Sequence, residues 1–436
     1  MEGEHLVYNT RTQAMAKINQ ELKETIDHCQ SPQYFIQKTH YAEQLVQLHQ
    51  MGIIVENEQE DQEKLKSFLQ QLKYGLNDDS FPVTILTTYA CNFKCTYCFE
   101  ESSRTNVKMD FPTSDLVISW IKRRLKRLGY RRLYIVFYGG EPLLNKPVLE
   151  YIATHIKHWC EAQGIQFKFM LQTNGYLMTP ECIDQYLKLG LEQVRISVDG
   201  VGEDHDHYRP LRGGGKTFDM VVKNIVDCVD KVPIGISTGY DKGDTTAIKR
   251  LLDYFGELGI LHKLGRFIFS PIHPTLGPKD HPEQIQRSAC MCNYEDENLV
   301  ESNKRIRQLM GERKLPMKSG MSTSTCPVTR EQSGVTIDQH GRIYKCNSML
   351  GHPELSTGDV HHDEMNEKHE EFMNLDVWQQ CPQDCTYMPI CSGGCRLSSF
   401  LQHQNFKTPS CHKPYLNKMA PEFIKRDYQK ALAKRS

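Results

Sequence analysis

The 436-residue sequence lacks three things that would have directed its function elsewhere. It has almost no net charge, −1 from 53 basic and 54 acidic residues, which removes the electrostatic case for nucleic acid or an anionic membrane as partner. No apolar run approaches the roughly 18 residues of a membrane span. Its first residues, Met1-Glu2-Gly3-Glu4-His5, lack the basic start and apolar core of a secretory signal. These absences predict a cytoplasmic protein in a reducing compartment. Length predicts two or three domains, and 39% hydrophobic with 25% charged residues describes a soluble globular chain. Cysteine, by contrast, is plentiful. Sixteen cysteines in a reducing compartment point to metal or cluster ligation rather than a disulfide framework.

The densest group is Cys91-Asn92-Phe93-Lys94-Cys95-Thr96-Tyr97-Cys98, a C-x3-C-x2-C loop directly after the apolar run Val83–Thr88. Three thiols on one loop can hold three irons of a [4Fe–4S] cubane and leave the fourth iron for another ligand. S-adenosylmethionine (SAM), through its amino and carboxylate groups, would give that arrangement a chemistry. Zinc competes, although its structural sites prefer paired C-x2-C units with a fourth Cys or His. Spacing alone leaves zinc open.

Residues 1–78 read as a small α/β module. Short strands are predicted at 6–9 and 53–55, and helices at 15–25, 41–49 and 59–74. Its role is either packing or the docking of a peptide. From 82 to 272 a strand pattern recurs at 82–88, 132–138, 166–173, 192–198, 233–239 and 265–270. Helical segments at 114–127, 147–162, 180–189, 217–230 and 245–258 fall between them. That alternation predicts a parallel sheet with right-handed crossovers, an open partial (β/α)6 barrel with its chemistry at the C-terminal strand ends.

Three further strand ends carry polar groups. Gly139-Gly140-Glu141 follows the second strand, where glycines would admit a ligand and Glu141 could hold an ammonium. Asn174-Gly175 ends the third strand. Ser197-Val198-Asp199-Gly200 ends the fourth with a hydroxyl and a carboxylate suited to ribose. Each alone is weak, because turns use these residues for backbone reasons; four at one rim are harder to dismiss. Residues 273–325 form an irregular to helical bridge containing Cys290 and Cys292. From 326 cysteines cluster again, at Cys326, Cys346, Cys381, Cys385, Cys391, Cys395 and Cys411, with a hairpin-like stretch over 335–345. One-cluster, two-cluster and zinc versions all satisfy that spacing. The basic tail after Tyr415 reads as a solvated helix.

Cys91, Cys95 and Cys98 with Tyr97, then Gly139-Gly140-Glu141-Pro142, Ser197-Val198-Asp199-Gly200 and Arg209, resemble the radical SAM superfamily. The C-terminal cysteines resemble a SPASM domain, an extension with two auxiliary [4Fe–4S] clusters; together the two resemblances cover residues 82–415. The family implies an α/β fold with a partial (β/α)6 barrel, a small N-terminal winged-helix-like module (1–78), the barrel itself (79–272), a bridge (273–325) and a C-terminal cysteine-rich iron–sulfur domain (326–436). By that resemblance Cys91, Cys95 and Cys98 hold the radical-generating cluster and Tyr97 lies near the adenine. Gly139, Gly140 and Glu141 bind the SAM amine, Ser197 contacts SAM, and Arg209 pairs with its carboxylate. Asn174 and Asp199 line the site or support it. Cys326, Cys346 and Cys395 would belong to a first auxiliary cluster, and Cys381, Cys385, Cys391 and Cys411 to a second. Two departures stand out: three residues separate Cys381 from Cys385 where the family usually has two, and seven cysteines stand where full ligation needs eight. The first auxiliary cluster would therefore keep an open iron for a substrate thiolate, or be completed by Cys290 or Cys292.

The resemblance implies reductive cleavage of SAM and hydrogen abstraction from a precursor peptide in ribosomal peptide natural product maturation. The product would be a thioether or carbon–carbon crosslink, or a backbone excision at a tyrosine-containing motif. Implied partners are a flavodoxin- or ferredoxin-type electron donor, the peptide, and a separate leader-binding protein. An anaerobic sulfatase maturase forming formylglycine is the alternative, disfavoured by Asn347 where those enzymes usually carry Asp. A non-catalytic iron–sulfur or zinc scaffold ranks lower. No general base is assigned among the loop carboxylates Glu100, Glu101 and Asp241.

Overall fold

The computed structural model describes residues 3–27, 40–75, 79–98, 100–101, 104–241, 243–272, 296–323 and 325–433. Cys290 and Cys292 lie outside the described residues. The chain divides into two compact units, one of residues 1–75, 318–331 and 375–436, the other of residues 76–317 and 332–374.

In the first unit, β1 (Glu4–Tyr8) and β2 (Met15–Asn19) form an antiparallel pair from Glu4↔Asn19 to Tyr8↔Met15. The turn between them is shaped by the Asn9 side chain, which accepts from the Arg11 and Thr12 amides at 2.8 and 2.9 Å. Three helices follow: α1 (Gln20–Asp27), α2 (Ala42–Gln50) and α3 (Glu58–Tyr74), the last capped by Asn57. Ile18, Leu22, Tyr41, Leu45 and Leu48 make the small core. Two sequence expectations are corrected. Met15–Asn19 is strand rather than helix, because Leu6-Val7-Tyr8 takes it as its ladder partner. Ile53-Ile54 is no strand: its amides close the end of α2 by donating to the Leu48 carbonyl at 2.9 and 3.3 Å. Both isoleucines pack on that core instead.

The second unit is built on β3 (Ser80–Leu86), α4 (Phe111–Leu128), β4 (Arg132–Tyr138), α5 (Lys146–Gln163), β5 (Gln166–Thr173), α6 (Pro180–Leu189) and β6 (Leu191–Ser197). It continues with α7 (Glu203–Tyr208), α8 (Phe218–Cys228), β7 (Ile234–Tyr240), α9 (Thr246–Glu257), β8 (Arg266–Pro271) and α10 (Glu297–Glu312). Strands β3 to β8 pair in chain order, all parallel. Side-chain alternation along β4 buries Leu133, Ile135 and Phe137. With Ile85, Phe169, Leu171, Ile196 and Ile236 they form a core whose members are at most 1% exposed. Capping places the helices: Asp110 accepts from the Thr113 amide to start α4, and Thr179 from the Cys182 amide to start α6.

The sheet does not end at β3. Val335–Ile337 (β9) pairs with β3 in parallel, β10 (Arg342–Tyr344) pairs antiparallel with β9, and β11 (Gly358–Asp359) with β10. The result is a nine-stranded sheet among the described residues, in the order β11-β10-β9-β3-β4-β5-β6-β7-β8. Helix α11 (Glu367–Met373) follows. The sequence boundary at 326 therefore differs from the division by compactness: the free edge of β3 offers unpaired amides and carbonyls, and 332–374 supplies their partner. Because β3 to β9 run parallel, their C-terminal ends share one rim.

The chain returns to the first unit with α12 (Met388–Cys391), α13 (Arg396–His403) and α14 (Lys413–Ala433). The expected solvated tail is instead docked, since Leu416, Met419, Ala420 and Phe423 of α14 are buried. Among the described residues no helix is long and apolar enough to cross a membrane.

Candidate active site and cysteine centres

The Cys91–Cys98 loop leaves β3 at the rim and is stitched to the segment after α7. Lys94 donates its amide to the Pro210 carbonyl at 2.9 Å, Thr96 to Tyr208 at 3.0 Å, and Arg212 to Asn92 at 2.7 Å. Phe93 is fully buried and meets Tyr176 edge-on at 5.8 Å. This frame brings Cys91, Cys95 and Cys98 close enough to act on one another's charge. Burial pushes the Cys91 thiol up to about 11 and raises Cys95 and Cys98, so the three are thiols until a metal draws off their protons. Arg104 opposes that burial: its Nη2 lies 3.0 Å from Cys98 Sγ and its Nε 2.7 Å from Glu101. Arg212 completes the clasp, reaching Glu101 at 2.9 Å.

Beside the loop, Tyr97, Asp199 and Arg209 form a buried knot. The Tyr97 hydroxyl donates to Asp199 Oδ2 and receives Arg209 Nη1 at 2.6 Å. Asp199, 2% exposed, also takes Arg209 Nη1 at 3.3 Å and the Gly239 amide at 2.7 Å. His205 receives the Asp199 amide at Nδ1, 3.2 Å, and burial lowers it to about 4, which keeps it neutral. Arg209 Nε is buried without a hydrogen-bond partner.

Glu141 is fully buried, and its carboxylate accepts from the Leu143 amide (3.0 Å), Thr173 Oγ1 (2.8 Å) and the Asn174 amide (2.8 Å). It joins the ends of β4 and β5. Asn174 in turn donates to Asn92 at 2.8 Å and lies 3.9 Å from Cys91 Sγ. Ser197 ends β6, half-buried and opposite Ser237 of β7.

The glycines have a backbone reason that the sequence did not reveal. A Cβ on Gly140 would lie 2.3 Å from the Ala90 carbonyl oxygen and 2.4 Å from that of Tyr89. On Gly139 it would meet the Thr88 carbonyl at 2.4 Å. Their first task is therefore to let the strand end touch the cysteine loop. Gly140→Ala should cost about 1–3 kcal/mol as overpacking and lower the iron loaded per chain, checked by urea unfolding and iron analysis.

The first unit also holds Cys326, Cys381, Cys385, Cys391, Cys395 and Cys411. Cys385, Cys391 and Cys411 all act on the charge of Cys381, which burial pushes up to about 11. The unusual three-residue gap closes as a turn, the Cys385 amide donating to the Pro382 carbonyl at 3.1 Å. Cys326 and Cys395 lie near the Arg396 guanidinium. Cys346 belongs to the barrel unit, after β10, where Thr336 Oγ1 donates to Asn347 Oδ1 at 2.5 Å.

Residues 85–255 match the model of the Radical SAM superfamily. Over that stretch the chain is similar to radical SAM domains. Among curated relatives, the cysteine-type anaerobic sulfatase-maturating enzyme of Clostridium perfringens is 26% identical over 332 residues, 70% of this chain and 86% of that protein. A structure of native anSMEcpe with bound AdoMet and Cp18Cys peptide superposes with a TM-score of 0.61 at 18% identity, over 80% of this chain and 99% of that one. Streptococcus suis SuiB bound to S-adenosylmethionine gives a TM-score of 0.57 at 12% identity, over 94% and 97%. These likenesses establish the fold. The chain spans about half the length of several other curated relatives, 45%, 57% and 38% of three of them.

A radical SAM domain implies SAM and a [4Fe–4S] cluster, and the residues present fit both. Cys91, Cys95 and Cys98 lie within reach of one another's charge, and Arg209 Nε and Asn92 Nδ2 are buried donors without a hydrogen-bond partner. Sequence reasoning did not single out Arg104, Arg212 or His205, which carry no motif, and Arg212 reaches the loop only through the tertiary fold.

Proposed function

We propose that the chain is a radical SAM/SPASM peptide-modifying enzyme acting on a precursor peptide. The observation that supports this is a three-cysteine loop set among buried polar groups at a parallel-sheet rim, on a chain that carries seven more cysteines from Cys326 to Cys411. In this reading Cys91, Cys95 and Cys98 hold a [4Fe–4S] cluster with one iron open to SAM. Reductive cleavage of SAM there would supply a 5′-deoxyadenosyl radical able to take a hydrogen atom from an unactivated C–H bond. Arg209 offers Nε to the SAM carboxylate while Asp199 and Tyr97 hold its other edge. Gly139, Gly140 and Ser197 border the same site, with Glu141 and Asn174 bracing the loops that form it. Cys381, Cys385, Cys391 and Cys411 hold an auxiliary cluster, and Cys326 and Cys395 contribute to another. Residues 1–78 would receive the peptide leader, and a flavodoxin- or ferredoxin-type protein would supply the electron.

Peptide chemistry is supported by solved relatives of the same fold, SuiB bound to precursor peptide SuiA and anSMEcpe bound to Cp18Cys peptide. The sulfatase-maturase relative keeps a second reading in play, formylglycine formation. Against it stands Asn347, whose amide cannot serve as the base a carboxylate would provide. The test is anaerobic reconstitution with dithionite, SAM and a cysteine- or tyrosine-rich peptide encoded beside the gene. Formation of 5′-deoxyadenosine and a peptide two hydrogens lighter supports a crosslinking maturase. Conversion of a cysteine to an aldehyde with loss of its sulfur supports the second reading. No 5′-deoxyadenosine, with or without peptide, sinks both.

A further inference from the structure

Arg396 opens α13 directly after Cys395 and is 1% exposed. A guanidinium so deeply buried demands a counter-charge, yet among the described residues it forms no ion pair with a carboxylate. Its hydrogen bonds go to carbonyls instead: Phe406 at 2.7 Å, Thr408 at 3.1 Å and Gly394 at 3.3 Å, with Gly393 as a fourth acceptor. Gly393 and Gly394 form the turn between Cys391 and Cys395, and Phe406 and Thr408 lie in the loop leading to Cys411. One side chain thus ties together the two segments that present three cysteines.

The seam is reinforced around it. Ser399 Oγ donates to the carbonyls of Thr408 (2.5 Å) and Asn405 (2.9 Å), and the Ser410 amide reaches the Gly393 carbonyl at 3.0 Å. Gly394 is packed so closely that a Cβ would lie 2.0 Å from the Ser410 carbonyl oxygen. The groups in reach that can become anions are the sulfurs of Cys326, Cys395, Cys381 and Cys391. They do so when metal replaces their protons.

We propose that Arg396 is the built-in counter-cation of the auxiliary iron–sulfur centres, a positioning residue that holds their ligand loops in register and raises their reduction potential. The inference rests on the cluster reading given above and adds to it a residue that tunes electron acceptance. Each one-electron reduction adds a negative charge to a cluster, and a fixed neighbouring cation favours that reduced form. Its removal makes the centres harder to reduce.

The test uses the full chain, purified anaerobically, in a Cys91→Ala, Cys95→Ala, Cys98→Ala background so that only auxiliary signals remain. Iron content and an EPR-monitored redox titration are compared for the parent, Arg396→Lys and Arg396→Gln. Arg396→Gln with iron retained should show at least a tenfold lower reduced-to-oxidised ratio at fixed potential for one or both signals, 59 mV for a one-electron couple. Arg396→Lys should stay nearer the parent. Full iron with an unchanged titration in Arg396→Gln overturns the proposal. If Arg396→Gln fails to load iron, Arg396→Lys decides. Loading with a midpoint near the parent's supports a role for the charge, and failure of both variants to load reduces Arg396 to an assembly element and overturns the tuning. A parent without auxiliary iron refutes the cluster reading itself, a result seen before residue 396 is changed.

Discussion

The Cys91→Ala, Cys95→Ala, Cys98→Ala variant is expected to lose about a third of roughly 12 irons per chain and all SAM cleavage. The three thiols are alike: each is half-buried, each lies within reach of another's charge, and each is raised by desolvation. Without them the loop has no thiolate left to offer iron, and the Glu141 carboxylate is occupied by three internal donors. The remaining iron should stay, because Cys381, Cys385, Cys391 and Cys411 form their own group. Iron and sulfide analysis with 5′-deoxyadenosine measured by chromatography checks both halves. Retention of SAM cleavage would place the radical chemistry elsewhere in the chain; loss of all iron would mean the centres assemble as one.

The second large effect is structural. Asp199→Ala should destabilise the metal-free protein by about 3–5 kcal/mol, the cost of leaving a buried charge without its partner. The Asp199 side chain is 1% exposed and that of Arg209 11%, so little water replaces the lost carboxylate. The substitution also frees the Gly239 amide and the Tyr97 hydroxyl, adding unmet buried donors. Asp199→Asn, which keeps an acceptor for Gly239, should cost less. Urea unfolding of wild type and both variants gives the comparison. Equal midpoints for Asp199→Ala and wild type would show that solvent reaches the knot and that the pair contributes nothing.

Much of the barrel was legible because its signals are local. A parallel strand buried between layers is a short apolar run, and the crossover helices repeat at 3.6 residues, so all six strands and five helices fell within a few residues of their observed bounds. The N-terminal module was harder. Met15–Asn19 has a helical pattern, but its conformation is decided by a partner strand across a turn. Ile53-Ile54 has strand propensity, but its amides are claimed by the end of α2. In both cases a backbone hydrogen-bonding partner nearby in the chain overrode the side-chain preference.

The candidate site divides along the same line. Where the loop thiols and the polar strand ends fall follows from spacing, because groups on one loop need no distant contact to be neighbours. The purposes of those groups do not. Glu141 reads as a hand for an ammonium and in the fold also braces two strand ends; the Gly139-Gly140 pair reads as a ligand cradle and also lets the strand end touch the backbone leading into the Cys91 loop. Arg104, Arg212, His205 and Arg396 have no motif at all. Arg104 and Arg396 are near neighbours in sequence of Cys98 and Cys395, whereas Arg212 reaches Glu101 only because the fold brings distant segments together, and His205 is fixed by the Asp199 amide. The Cys91–Cys98 loop was therefore legible as a three-thiol site from its spacing alone, while the partners that hold it, charge it and close it exist only once the chain has folded around it.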